Sequence, residues 1–278
     1  MAGEPLGLIA GNGRFPFLAA AGARRAGRRV VALAIREETA PELEAEVDEL
    51  HWVGLGQLGR AIDILRRCGA REALMAGQVK HRQIFSDVVP DLKLMGVLAR
   101  LALQNTDSLI GAVADALSRE GITLLPSVAF LGDQLATQGA MTRRRPRRDE
   151  RADVEYGETV ARALARMDLG QTAVVKKRAA VALEAMEGTD EVIRRAGRLA
   201  GAGATVVKVS KPGQDMRFDV PVVGRGTLES MAEAGASVLA LDAGRTLMID
   251  KPAFLEQAET AGVAVWGLEP DGGKGGAA

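Results

Sequence analysis

Residues Leu6 to Pro16 read LGLIAGNGRFP. Leu6 to Ala10 form a short apolar run with the length of a buried strand. Gly11-Asn12-Gly13 then break the run, and Pro16 suits the first turn of a helix. A glycine-rich turn between strand and helix lets the backbone approach a phosphate, with helix N–H groups aimed at it. The stretch departs from the dinucleotide fingerprint at two points. Pro16 takes the third glycine position, and Ile35, which closes the next apolar run, is followed by Arg36 rather than an acid. Phosphate or sugar contact is therefore expected at Gly11, Asn12 and Gly13, without a conventional nicotinamide site; the alternative is a tight strand-to-helix turn and no more.

Working outward, Val30–Ile35, Ala73–Ala76 and Ile122–Leu125 predict further strands. Between them Leu58, Ile62 and Leu65 recur at helical spacing, as do Leu109, Val113 and Leu117. Strand–helix alternation predicts a parallel sheet with helices on its faces. The expected class is α/β, with an N-terminal Rossmann-like parallel-sheet domain over residues 1–141. Residues 142–153, TRRRPRRDERAD, are almost wholly charged and contain Pro146, so they read as a linker. A C-terminal catalytic α+β domain is expected over residues 154–270. It opens with a helix carrying Val160, Leu164 and Met167. Ala173–Val175 and Val181–Leu183 flank Lys176-Lys177-Arg178 as a hairpin, and Thr205–Val209 reads as a strand. Val238–Leu241 and Thr246–Ile249 suggest a second hairpin around Asp242–Arg245. Thr189 stands at a helix N-cap position, with Asp190 and Glu191 in the first turn. Pro252 fits the start of a last helix, and the Gly/Ala-rich residues 271–278 read as a disordered tail.

Composition narrows the function. The 278 residues hold 36 Lys+Arg and 36 Asp+Glu, so there is no basic excess for wrapping nucleic acid. The single cysteine, Cys68, excludes an intramolecular disulfide and a cysteine-rich zinc site. Two histidines, His51 and His81, leave little room for a histidine-built metal site. Aromatics at 3% argue against base-stacking platforms and aromatic sugar grooves. No apolar run approaches the roughly 18–20 residues of a membrane span. Met1 to Pro5 lacks the basic start of a signal peptide. A soluble, cytoplasmic protein is expected.

Several segments carry chemistry. Gly77-Gln78-Val79-Lys80-His81-Arg82 follows a predicted strand, and open parallel sheets bind ligands outside the carboxyl ends of their strands. Lys80 and Arg82 would meet phosphate there; the alternative is a solvated loop. Glu187-Gly188-Thr189-Asp190 offers hard oxygen ligands suited to magnesium, or plain helix capping. The densest segment is Lys208 to Pro221, KVSKPGQDMRFDVP. Two lysines, an arginine, a glutamine and two aspartates fall within its first twelve positions. Pro212 and Gly213 put these groups on a loop, and an extended Arg217–Asp219 would turn both side chains to one face. Phosphoryl transfer needs cations for the phosphate oxygens and carboxylates for a metal or a water. The alternative is a solvated loop laced by ion pairs. Arg143–Arg148 holds five arginines in six positions. Each contributes about 1 kcal/mol beside an anionic membrane, unless Asp149, Glu150 and Asp153 simply compensate them.

Together these motifs resemble the LpxI family of lipid A biosynthesis. The resemblance runs from GLIAGNGRFP through GQVK at Gly77 and Met141-Thr142. It is strongest in GQTAVVKKRAAVALEAMEGTDEVIRRAG, Gly170 to Gly197, and in VKVSKPGQDMRFDVPVVG, Val207 to Gly224. It covers the chain to about Gly267, and the pairing of EGTD with KPxQDxRxDxP is its specific mark. The resemblance implies a UDP-2,3-diacylglucosamine diphosphatase. Such an enzyme hydrolyses the pyrophosphate to lipid X (2,3-diacylglucosamine 1-phosphate) and UMP, with water attacking the phosphorus on the sugar side. It implies Mg2+ or another divalent cation such as Mn2+, and two domains with the lipid held between them. Asp219 matches the family's essential aspartate, with Asp215, Arg217 and Lys211 as further catalytic candidates. Gly11, Asn12, Gly13, Gly77, Gln78, Lys80, Gln171, Thr172, Thr189, Lys208 and Gln214 are assigned to substrate binding. Asp219, Glu187 and Asp190 are assigned to the metal. Thr106-Asp107 stands where family members carry paired acids. Peripheral attachment to the inner membrane, no nucleic-acid partner and a homodimer are expected. The rivals are a non-catalytic lipid or nucleotide sensor and a nucleotide-dependent oxidoreductase.

Overall fold

The computed structural model describes residues 3–79, 89–99 and 106–269. Lys80, His81, Arg82, the Asp107 side chain and the 271–278 tail, all singled out from sequence, lie outside the described residues. The chain forms two compact units. One runs to Leu131 and includes Asp215–Asp219; the other holds Gly132–Gln214 and continues from Val220. The division thus falls ahead of the expected boundary at residue 141, and a short piece of the later chain belongs to the first unit.

The first unit contains β1 (Pro5–Ala10), α1 (Phe15–Arg25), β2 (Arg29–Ile35), β3 (Glu49–Val53), α2 (Leu58–Arg67) and β4 (Glu72–Ala76). After them come α3 (Leu92–Leu98), α4 (Thr106–Arg119) and β5 (Thr123–Leu124). The sheet order is β3-β2-β1-β4-β5, every pairing parallel, as the strand–helix alternation predicts. Side chains alternate across the sheet. Leu6, Leu8, Ala32 and Leu74 pack with Ala19, Ala20 and Ala23 of α1 on one face. Leu33 and Ala73 pack with Ile62, Leu65 and Leu117 on the other. The edge strand β3 has no counterpart in the sequence reading. Its residues, ELHWV, are mostly half-exposed and lack the apolar run that marks a buried strand.

The second unit contains β6 (Gly139–Ala140), α5 (Arg148–Arg166), β7 (Thr172–Lys176), β8 (Ala179–Leu183), α6 (Thr189–Ala200) and β9 (Thr205–Lys208). It continues with β10 (Val222–Val223), α7 (Arg225–Ala234), β11 (Val238–Asp242), β12 (Leu247–Met248), α8 (Lys251–Thr260) and β13 (Ala264–Leu268). Its mixed sheet runs β6-β13-β11-β9-β7-β8, parallel from β13 to β9 and antiparallel at both edges. Val192, Ile193, Leu228, Met231 and Phe254 of α6, α7 and α8 cover one face. Val154, Ala161 and Ala165 of α5 cover the other. A Cβ on Gly157 would lie 2.7 Å from Val207 Cγ2, so α5 approaches the sheet at a distance that only glycine permits.

Four local expectations are corrected. Residues 142–153 are not a free linker, because α5 begins at Arg148 and Glu150 and Asp153 are buried. Glu150 accepts Arg147 N–H at 2.8 Å and Arg144 Nη2–H at 2.6 Å. Asp153 accepts Lys177 N–H at 3.0 Å and Arg178 N–H at 2.6 Å, closing the predicted β7–β8 hairpin turn. Lys177 and Arg178 there adopt φ of 52° and 55°, as a tight two-residue hairpin turn requires. The second hairpin does not form: β11 pairs with β9 and β13, and β12 pairs in parallel with β10. Thr189 is the first residue of α6 rather than its cap, which is Gly188 at φ 82°. Met167 is exposed, while Leu164 is buried as expected.

Candidate active site

In the first unit the sheet order reverses at β1, flanked by β2 and β4. Such a switch point is where open parallel sheets bind ligands, outside the carboxyl ends of the strands. The glycine turns after β1 and β4 meet there. Gly11 N–H donates to Ala76 O at 2.8 Å, and Asn12 and Gln78 exchange backbone bonds of 2.8 and 3.3 Å. A Cβ on Gly11 would lie 2.5 Å from Gln78 O, and one on Gly77 (φ +92°) 2.5 Å from Asn12 O. Both positions require glycine because two backbones touch. The Asn12 amide donates to Glu38 Oε2 at 3.1 Å, and Thr39 Oγ1 donates to Ala10 O at 2.5 Å. Gly11, Asn12, Gly13, Gly77 and Gln78 therefore form one rim, with Gly13, Gly77 and Gln78 exposed. Glu38 belongs to it and was missed from sequence, since it follows the strand end by three residues instead of closing it.

In the second unit a buried cation ends β9. Lys208 is 5% exposed and lies in register with Thr172, the first residue of the antiparallel β7. Lys208 Nζ donates to Thr189 Oγ1 at 2.7 Å, and Thr189 Oγ1 donates to Glu184 Oε1 at 2.8 Å. Glu184 Oε2 accepts Gln171 N–H at 3.1 Å, and Thr172 Oγ1 lies 3.4 Å from Thr189 Oγ1. A buried ammonium is tolerated only with compensating partners. Here a threonine hydroxyl relays it to a buried carboxylate. Gln171, Thr172, Thr189 and Lys208, assigned to substrate binding from the sequence, are thus brought together. Glu184 is the missed member, three positions ahead of the Glu187 that sequence reasoning chose.

The neighbouring strand end carries a second buried ion. Asp242, at the carboxyl end of β11, is fully buried. Its oxygens accept Arg162 Nη1–H and Nη2–H, each at 2.7 Å. Oδ2 also accepts Ser210 N–H at 2.7 Å and Ser210 Oγ–H at 2.6 Å. Although burial opposes the charge, the hydrogen bonds to Asp242 raise the Arg162 guanidinium above its ordinary range. This clamp fixes Ser210 and hence the base of the loop that follows. An acid closing the apolar run VLALD was its one signal in the sequence.

That loop divides. Lys211 N–H donates to Gln214 Oε1 at 2.8 Å, and Gln214 N–H to Lys211 O at 3.2 Å, making a turn around Pro212-Gly213. Lys211 Nζ pairs with Asp168 Oδ1 at 2.7 Å. Gln214 Nε2 and Gln171 Oε1 are buried polar atoms without a hydrogen-bond partner among the described residues. Asp215–Asp219 then belongs to the first unit, where Ser127 N–H donates to Met216 O at 2.8 Å and Ser127 Oγ–H to Arg217 O at 2.7 Å. The segment does not take the extended form in which Arg217 and Asp219 would share one face. Phe218 N–H and Asp219 N–H both donate to Asp215 O, at 3.1 and 2.8 Å, and coil it into a turn. Arg217 grips Asp215 through Nε–Oδ1 at 2.9 Å and Nη2–Oδ2 at 2.6 Å. That guanidinium holds the Asp215 carboxyl below its ordinary value, outweighing burial.

One metal candidate, Glu187, has other work. Glu187 Oε1 accepts Arg195 Nη2–H at 2.5 Å, and Oε2 accepts Ala185 N–H at 3.0 Å. Its own N–H, then Arg195, keep it below the usual carboxylate range. Asp190 lies against the first turn of α7, where a Cβ on Gly226 would come within 3.0 Å of Asp190 Oδ2.

The two rims lie in segments that match two family modules. Residues 5–134 match the family described as LpxI N-terminal domain, and residues 137–266 match LpxI C-terminal domain. The chain is also similar to the UDP-2,3-diacylglucosamine pyrophosphatase LpxI of Caulobacter vibrioides. The two are 32% identical over 276 residues, covering 95% of this chain and 98% of the relative. With both modules matched in order around these two rims, the chain belongs to the LpxI family.

Proposed function

We propose that this protein hydrolyses UDP-2,3-diacylglucosamine to lipid X and UMP. Water adds to the phosphorus on the sugar side, and the bond from that phosphorus to the bridging oxygen breaks, releasing UMP. The observation that carries the reading is the Lys208–Thr189–Glu184 network. It fixes a buried ammonium at a strand end, one carboxylate away from Gln171, in a chain of this family. A preorganised cation stabilises charge as it develops on phosphoryl oxygens. The partnerless amide atoms of Gln171 and Gln214 offer an acceptor and a donor to a polar ligand. In the first unit, the glycine rim suits close backbone contact with the nucleotide moiety.

The donors named for a metal are carboxylates, which suit Mg2+ or Mn2+. Among the described residues, no group of three possible ligands within reach of one another includes Asp219, Glu187 or Asp190. Magnesium commonly uses one or two carboxylates and completes its shell with substrate phosphate and water, so the donor chemistry still fits. Asp219 would hold the ion, with Asp190 the next carboxylate to test; Glu187 spends its oxygens on Arg195 and the Ala185 N–H. A bound Mg2+ would neutralise pyrophosphate charge and lower the pKa of a ligated water. Lys211 and Arg217 would neutralise phosphate oxygens, and Arg217 also orients Asp215.

Among the described residues, no helix is long and apolar enough to cross a membrane. Peripheral attachment at the inner-membrane surface is proposed from the diacyl substrate. Of the arginine cluster, Arg144 and Arg147 are tied to Glu150 and Arg143 reaches Glu259, so Arg145 and Arg148 are the ones proposed to meet lipid head groups. A homodimer and a cytoplasmic location remain part of this proposal.

The test is hydrolysis of UDP-2,3-diacylglucosamine with Mg2+ and then with chelator, in water enriched in heavy oxygen. Metal-dependent release of UMP and lipid X, with the label in lipid X, is the expected result. Binding of lipid X without turnover would replace the enzyme by a sensor, and label in UMP would move the attack to the other phosphorus.

A further inference from the structure

Edge strand β3 carries Glu49 and His51 two positions apart, so both project from one face. Cys68, at the carboxyl end of α2, meets them. His51 Nε2 lies 2.7 Å from Glu49 Oε1, and Cys68 Sγ lies 3.4 Å from the same oxygen. One ligand atom from each residue falls within 4.8 Å of the other two, the one such grouping among the described residues. The residues line a cavity of about 760 Å³. None of them takes part in the proposed hydrolysis.

We propose that Glu49, His51 and Cys68 form a second metal site, for a borderline cation of the zinc class. A sulfur, an imidazole nitrogen and a carboxylate oxygen form a zinc ligand set, whereas magnesium and calcium select oxygen alone. A tetrahedral ion bonded at about 2.0–2.3 Å holds its ligand atoms roughly 3.3–3.8 Å apart. The cluster reaches that spacing when the Glu49–His51 contact opens by about 0.6 Å and every pair, now within 4.8 Å, closes to about 3.8 Å or less. Binding releases the Cys68 thiol proton to solvent, and thiolate plus carboxylate then balance a dication.

The surroundings fit this closed charge balance. Arg29 Nη2 lies 2.5 Å from Glu49 Oε2, on the oxygen the cluster does not use, and fixes the carboxylate as an outer partner. Arg60 and Arg67 line the cavity, with Asp63 between them in sequence. Such cations disfavour a bare dication but favour an anion or hydroxide as its fourth ligand. The sequence reading, which left little room for a histidine-built site, counted residue types and overlooked a mixed ligand set.

Cobalt(II), a spectroscopic probe for zinc, gives the cleanest test. Cys68 is the only cysteine, so any thiolate-to-cobalt absorption in the near ultraviolet must arise from it. Chelator-treated full-length protein should develop this band, saturating at about one equivalent, with zinc displacing it and magnesium leaving it intact. Cys68→Ser should abolish the band, and His51→Gln and Glu49→Gln should each weaken cobalt binding by about ten-fold or more. Magnesium-supported hydrolysis by these variants should be unchanged, which separates this site from the catalytic reading. Folded protein without the band, or a band indifferent to His51→Gln and Glu49→Gln, overturns the proposal.

Discussion

The two units finish their parallel strands in opposite ways. At the ends of β1 and β4 the first unit presents backbone: glycines pressed against carbonyls, with Asn12 and Glu38 alongside. At the ends of β9 and β11 the second presents buried charge: Lys208 relayed to Glu184, and Asp242 clamped by Arg162. The same strand-end position can thus be made permissive by removing side chains or polarised by burying them. The first design accepts a ligand's contour, and the second fixes the charge it meets. Changes at the glycine rim should therefore act mainly on binding, and changes at the buried charges mainly on turnover and stability.

The largest effect tests the segment that leaves the second unit's chain for the first. Asp219→Ala should lower turnover by about 10²–10³-fold or more, with the circular dichroism spectrum and lipid X binding retained. Near-normal turnover would remove Asp219 from the chemistry. Next, Asp242→Ala removes the buried, two-pronged partner of Arg162, leaving it Glu158 and the Glu269 carbonyl, and should cost about 3 kcal/mol in urea unfolding. A loss below about 1 kcal/mol would mean the clamp adds little, and the contrast between the units would weaken.

Gly77→Ala probes the backbone-built rim. It forces a Cβ against Asn12 O at a left-handed φ and should cost about 1–3 kcal/mol. In steady-state kinetics it should raise KM far more than it lowers kcat; the reverse pattern would assign this rim to the chemical step. The smallest effect concerns acid. Burial raises the Glu150 carboxyl, but Arg147 N–H, the Ser237 hydroxyl and Arg144 outweigh it and set it below its ordinary value. A depressed folded-state value gives stability that is present above the ordinary carboxylate range and lost as pH falls through the folded value. Glu150→Gln should flatten this part of the acid limb of a stability–pH curve, whereas an unchanged limb would transfer the effect to other carboxylates.

Much of the first sheet was legible because buried parallel strands are nearly continuous apolar runs, as in Leu6–Ala10 and Val30–Ile35. Strand β3 escaped because an edge strand shares its residues with solvent. The charged stretch 142–153 misled because composition reports the charges and not their partners. Glu150 is buried because Arg147 N–H and the Arg144 guanidinium close by satisfy it, and Asp153 because backbone N–H groups far along the chain do. The false hairpin at Asp242–Arg245 had the right turn chemistry, but β11 is taken by two parallel neighbours.

The site divides in the same way. Lys208, Thr189 and the glycine turns were evident because each motif is short and its chemistry local. Glu184, Glu38, Arg162 and Asp242 were not, since a carboxylate's role depends on which donors face it. The sequence by itself determined the α/β class, the family and the inventory of cations and carboxylates, all properties of local pattern and residue type. Only the tertiary structure decided which charges are buried together and that Asp215–Asp219 coils within the first unit. Pairing distances and desolvation arise between residues that lie far apart in sequence.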